Sequence, residues 1–102
     1  MAKGYWVIAW RSISDQAAVG RYVAPATDAI LAGGGRVIAG GEPARAYEEG
    51  LQTRLVIVEF DSLQAAIAAY ESPAYQATLP HLVGAAERDV RVIEGIADDS
   101  PT

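Results

Sequence analysis

The segment from Arg54 to Gln76, RLVIVEFDSLQAAIAAYESPAYQ, constrains the fold more than any other part of the sequence. It begins with Leu55–Phe60, an apolar run rich in β-branched residues and interrupted only by Glu59, which is typical of a strand buried on both faces. Asp61 and Ser62 follow with side-chain oxygens that can cap a helix. The next apolar residues recur at the spacing of one helical face, and they are Leu63, Ala66, Ile67 and Tyr70. The segment therefore predicts a central strand that leads directly into an amphipathic helix.

That helix is expected to stop and restart at Ser72 and Pro73. Ser72 can cap a new helix, and Pro73 suits its first position because the missing N–H would have no helical partner there. Pro80 should break or kink the restarted helix, since proline removes a helical hydrogen bond and clashes with the preceding turn. The apolar face on either side of Pro80 consists of Tyr75, Leu79, Leu82, Val83 and Ala86.

A second central strand is predicted at Gly4–Trp10, which is apolar on both faces. A helix follows it, with capping residues near Asp15 and a stop at the run of three glycines that begins with Gly33. Pro25 lies inside this pattern, so we expect a kink or a split just before it. The two strand faces carry Tyr5, Val7 and Ala9 on one side, and Trp6, Ile8 and Trp10 on the other.

Arg36–Gly41 and Asp89–Glu94 complete the set of predicted strands, and residues 42–50 form an irregular connection. The element order is β-α-β-β-α-β, the order of a ferredoxin-like α+β fold with an antiparallel sheet and helices on one face. Right-handed crossovers place the first and third strands at the centre. We expect residues 3–96 to form a single domain and the acidic tail, 97–102, to be mobile.

The two faces of the sheet predict a homodimer. Two helices cover only one face, yet the central strands are apolar on both, and monomers rarely expose an apolar patch larger than about 300–600 Å². Packing of the sheet against the same sheet of a second copy, as in a dimeric α+β barrel, is the simplest solution.

Composition excludes several classes of function. Thirteen acidic against eight basic side chains give a net charge of −5, which disfavours nucleic acid and anionic membrane surfaces as partners. The sequence has no cysteine and one histidine, so neither a disulfide framework nor a metal site is expected. The N-terminal apolar stretch is too short to span a membrane and lacks a cleavage pattern, which favours a cytoplasmic location.

Several segments together carry a resemblance to a known family. They are GYWVIA at the start, Gly34-Gly35-Arg36, Gly40-Gly41-Glu42, IVEFDSLQAA, YESPAYQ and the closing ERDVRVIEG. With them the sequence resembles the domain-of-unknown-function 1330 family, within the dimeric α+β barrel superfamily. The resemblance implies a ferredoxin-like subunit that pairs sheet to sheet, and it implies no established reaction.

Glu59 and His81 are the candidate catalytic residues. Glu59 interrupts the most apolar strand, and a buried carboxylate must be paired or have its pKa raised, either of which suits a binding or acid-base site. The alternative is that Glu59 reaches water or an arginine at the end of its strand. His81 is the only side chain with an unperturbed pKa near neutrality, and the alternative is a histidine in a surface or packing position.

The candidate ligand-binding residues are aromatic and charged side chains that could enclose a small pocket between sheet and helices. Arg36, Arg54 and Arg88 are possible partners of Glu59, and Glu42 could lie with Arg54 at the rim. Ordinary salt bridges are the alternative for these charges, and core packing is the alternative for the aromatic residues. The predicted walls are Trp10, Tyr22, Tyr70 and Tyr75.

Two functional interpretations follow from these residues. The first is a dimeric binder of a small organic ligand, or a weak enzyme that needs no cofactor, with Glu59 as acid or hydrogen-bond acceptor. The second is a structural or regulatory homodimer whose core is filled and which has no catalytic activity.

Overall fold

The computed structural model of the protein describes residues 2–97. The tail that we expect to be mobile, residues 97–102, lies outside the described residues except for Ala97. The elements follow the predicted order, and they are β1 (Gly4–Ile13), α1 (Gln16–Ala32), β2 (Arg36–Gly41), β3 (Leu55–Phe60), α2 (Leu63–Glu71), α3 (Pro73–Gln76), a 3-10 helix (Leu79–Leu82) and β4 (Ala86–Glu94).

The four strands form one antiparallel sheet in the order β2-β3-β1-β4, so the two most apolar strands are central, as predicted. Trp6, Ile8 and Trp10 of β1 are buried under the helices, with exposed fractions of 0%, 3% and 6%. Tyr5 and Val7 alternate with them and lie on the other side, which none of the helices within residues 2–97 covers. We call that side the open face.

Local capping agrees with the sequence patterns. The side chain of Ser62 accepts a hydrogen bond from the backbone N–H of Ala65 at 3.0 Å, which starts α2. Ser72 accepts from Tyr75 N at 3.3 Å and starts α3, with Pro73 in its first turn. Pro80 lies in the 3-10 helix after α3 has ended, so the predicted break is confirmed.

Of the kink or split expected just before Pro25, the split is wrong, because α1 runs without interruption from Gln16 to Ala32. Pro25 is exposed, so the carbonyl group that loses its helical partner can be hydrated. Tyr22 before the proline and Ala26 after it are both buried, so the inner side of α1 stays packed on either side of Pro25.

Candidate functional site

A cleft of about 410 Å³ opens between α1 and the helix-covered face of the sheet. The sheet contributes Ile8, Val56 and Val58 to its walls, and α1 contributes several side chains along its inner side. The alternation that turns Trp10 towards the helices also turns these sheet residues into the cleft. The contribution of α1 includes Val19, Tyr22, Val23 and Ala26. The lining is therefore mainly apolar.

Polar groups converge beside the cleft in a set that we call the Arg88 cluster: Arg88, Tyr22, Tyr75 and Trp10. Arg88 Nη1 donates hydrogen bonds to the hydroxyl oxygens of Tyr22 at 3.1 Å and of Tyr75 at 3.4 Å. The two hydroxyls are hydrogen-bonded to each other at 2.5 Å. The guanidinium carbon lies 5.0 Å from the centre of the Trp10 ring and 5.2 Å from that of Tyr22, within the range of cation–π attraction.

Three separate elements position this cluster. Arg88 is the cross-strand partner of Trp10 in the pairing of β4 with β1. Tyr22 comes from α1 and Tyr75 from α3, and their rings meet edge to face with centroids 6.3 Å apart. Both phenols are buried, with exposed fractions of 6% and 0%. Packing of the rings thus holds the hydroxyls where the guanidinium can reach them.

Burial raises the pKa of the Tyr22 phenol, and the neighbouring hydroxyl of Tyr75 adds to the effect. Tyr22 is therefore neutral at physiological pH, and its role in the cluster is that of a hydrogen-bonding group rather than a base.

The structure brings some of the predicted site residues together at the cleft. Trp10 and Tyr22 line it, Tyr75 joins them through the Arg88 cluster, and the exposed side chain of Arg54 also lines it. Tyr70 is half-buried and packs on Tyr75, with ring centroids 5.1 Å apart.

Glu59 and Arg36 lie elsewhere, on the open face. Glu59 pairs across the sheet with Tyr5 on one side and Arg36 on the other. Tyr5 Oη donates to its carboxylate at 3.0 Å, and Arg36 forms an ion pair with it. The structure therefore does not bring Glu59 and Trp10 into one pocket: Glu59 lies on the face of its cross-strand partner Tyr5, and strand alternation turns Trp10 of β1 to the opposite face.

Glu42 and His81 are both exposed. Glu42 lies beside a shallow hollow on the open face, where Leu55 and Ile57 also lie. His81 is in the 3-10 helix and does not line the cleft. The structure does not bring either residue to the Arg88 cluster.

Arg88 was expected only as a possible partner of Glu59, and its position at the cleft with Tyr22 and Tyr75 was not predicted. A signal was present, since Arg88 has the same strand parity as Val90 and Val92, which pair with Ile8 and Trp6 and face the helices. A charged residue in register with an apolar strand face indicates a partly buried charge, which is uncommon without a function or a partner.

Two further observations apply to residues 2–97. No group of three or more metal-ligating side chains is present among them. None of their helices is long and apolar enough to cross a membrane.

Comparison with solved structures supports the fold. A protein of unknown function from Rhodopseudomonas palustris has a TM-score of 0.69 at 14% identity, over 94% of this chain and 84% of that one. A dimeric ferredoxin-like protein of unknown function from Thermobifida fusca has a TM-score of 0.58 at 14% identity, over 91% and 90%. A NIPSNAP family protein from Agrobacterium tumefaciens has a TM-score of 0.61 at 16% identity, over 99% and 98%.

The chain therefore has a ferredoxin-like α+β fold, as the order of its elements predicted. No curated protein matches the chain significantly. The model of the family described as a domain of unknown function, DUF1330, matches residues 3–96. The chain belongs to this family.

Proposed function

We propose that this protein binds a small organic molecule in the cleft between α1 and the sheet, without a cofactor. The observation that carries the proposal is the cleft itself, whose volume of about 410 Å³ falls within the range of small-molecule sites. Such sites combine an apolar lining with a few fixed polar groups, and here the Arg88 cluster supplies those groups.

Binding explains the geometry better than acid-base catalysis does. The two candidate catalytic residues, Glu59 and His81, lie on the open face and in the exposed 3-10 helix, away from the cleft. The groups beside the cleft are phenols and a guanidinium, which donate and accept hydrogen bonds but are poor bases at neutral pH. An enzymatic role would have to use orientation and charge stabilisation by these groups.

We also propose that the protein is a homodimer that buries its open face. Tyr5, Val7 and Ile57 are only partly covered there, and Ile93 is 57% exposed. The dimeric neighbour from Thermobifida fusca has the same subunit fold, which agrees with this arrangement. The cleft lies on the opposite side of the sheet, so self-association through the open face leaves it accessible. The cytoplasmic location stays a prediction from the sequence.

The ligand proposal is tested by a thermal-shift screen with small aromatic acids, lactones and quinones. A ligand at 100 times its dissociation constant stabilises the native state by about 2.7 kcal/mol, which raises the melting temperature measurably. Val23 lines the cleft and is 51% exposed, so Val23→Trp should place an indole over the opening and abolish the shift.

Val83→Trp is the matched control, since Val83 is 83% exposed and does not line the cleft. It should retain the full shift, and so should His81→Ala. Absence of any stabilising compound, or a shift that survives in Val23→Trp, would disprove the proposed site.

A further inference from the structure

The Arg88 guanidinium has more hydrogen-bond donors than the described protein uses. It carries five N–H groups, and its contacts are those to the hydroxyl oxygens of Tyr22 and Tyr75. Within residues 2–97, Nε has no acceptor and no carboxylate forms an ion pair with Arg88. The charge is half-buried, and a buried charge without a counter-ion is costly.

The two phenols do not balance this surplus of donors. A guanidinium only donates, so both hydroxyl oxygens act as acceptors towards Arg88. One of the hydroxyls donates to the other, which leaves one O–H without an acceptor among the described residues. The Arg88 cluster therefore presents several hydrogen-bond donors and a positive charge, and it lacks a negatively charged hydrogen-bond acceptor.

The charged side chains in the walls of the cleft are also positive. Arg54 and Arg88 are both part of the lining, and none of the described lining residues is a carboxylate. The chain as a whole, by contrast, has a net charge of −5. An anionic ligand would meet attraction at this site, whereas it would be repelled by the protein as a whole.

We propose that the ligand of the cleft is an apolar carboxylic acid, most simply an aromatic one, whose carboxylate binds Arg88 while its body lies between α1 and the sheet. This inference rests on the proposed function and names the substrate class of the same site. A carboxylate matches the free side of a guanidinium with two parallel hydrogen bonds. Stacking of Arg88 near Trp10 and Tyr22 fixes the plane of that guanidinium before the ligand arrives.

The test compares acids with neutral compounds of the same shape. Wild-type protein is titrated calorimetrically with trans-cinnamate and 2-naphthoate, with their primary amides, and with phenyl phosphate. A charge-assisted contact predicts that each acid binds about 10- to 100-fold more tightly than its amide. Tighter binding of phenyl phosphate than of either acid would overturn the assignment of a carboxylate.

Arg88→Gln should reduce the affinity for each acid to that for its amide and leave the affinity for the amide almost unchanged. Arg88→Lys keeps the charge without the planar fork, so it should retain part of the preference for acids. Arg21→Gln is the matched control, because Arg21 is exposed on α1 and does not line the cleft. Circular dichroism checks that each variant is folded; if Arg88→Gln is not, Arg88→Lys decides.

The outcomes separate the two proposals. Equal affinity for acids and amides overturns the carboxylate inference and leaves the binding site intact. The carboxylate inference is also overturned, and the binding site left intact, if neutral compounds from the thermal-shift screen bind but both acids fail to bind at millimolar concentration. Failure of every compound overturns the proposed function together with the inference.

Discussion

The indole Nε1 of Trp6 donates a hydrogen bond to the carbonyl oxygen of Ala66 at 2.8 Å, which ties the centre of β1 to α2. Both residues are fully buried, with exposed fractions of 0%. The Trp6 ring also packs against Phe60 and Tyr75, with centroids 5.0 Å and 4.8 Å away. Trp6 thus connects the sheet, α2 and the helix that carries part of the Arg88 cluster.

Trp6→Phe should therefore lower the free energy of unfolding by about 1–3 kcal/mol, through the lost hydrogen bond and the space left by the smaller ring. Urea denaturation followed by circular dichroism measures the change. Val83→Ala, at a position 83% exposed, should stay within about 0.5 kcal/mol of wild type. Equal stability of Trp6→Phe and wild type would show that the indole does not anchor α2.

Two glycine substitutions should act in opposite directions. A Cβ atom at Gly4 would lie 2.7 Å from Leu63 Cα, so Gly4→Ala forces β1 away from the start of α2 and should cost at least about 1–3 kcal/mol. Gly20 lies within α1 with nothing within 4 Å of its added Cβ, so Gly20→Ala should stabilise by about 0.5–1 kcal/mol. Thermal unfolding of both variants beside wild type gives the comparison, and a shift of the same sign in both would contradict it.

Glu59 should make stability depend on pH. Burial alone would raise the pKa of Glu59, but hydrogen bonds from Tyr5 and Arg36 outweigh it and hold that pKa below its usual range. A carboxyl with a lowered pKa contributes stability above its unfolded pKa, about 4.3 for Glu, and the contribution is lost as pH falls through the folded value.

Wild type should therefore be more stable than Glu59→Gln at pH 7, and the difference should shrink as the pH falls below about 4.3. Urea denaturation at a series of pH values measures it. Tyr5→Phe removes one of the two donors and should reproduce part of the difference. A difference that is constant from neutral to acidic pH would mean that the ion pair does not contribute.

The proposed dimer predicts that light scattering at micromolar concentration reports twice the chain mass. Ile57 lies on the open face, so Ile57→Asp should convert the protein to a folded monomer by placing a charge in the interface. Ile67 on α2 is 41% exposed on the helical side, and Ile67→Asp should leave the dimer intact. A wild-type monomer, or a dimer that survives Ile57→Asp, would place the interface elsewhere or remove it.

The sequence by itself determined the element order, the helix starts at Ser62 and Ser72, the break at Pro80 and the two central strands. These features depend on interactions between residues a few positions apart. Capping oxygens, prolines and the periodicity of apolar residues therefore predict them from the sequence. Pro25 shows the limit of such rules, because its cost depends on whether that side of α1 faces water or protein, and this is a tertiary property.

The tertiary structure alone decided the site. Alternation along a strand divides its residues between two faces, but only strand register and helix packing determine which face becomes the cleft and which stays open. Glu59 therefore shares its strand with cleft residues and yet binds Arg36 and Tyr5 on the far side. The Arg88 cluster joins residues 66 and 53 positions apart, Arg88 with Tyr22 and Tyr22 with Tyr75. No local pattern records contacts over such separations, since they form only when the sheet and both helices have packed together.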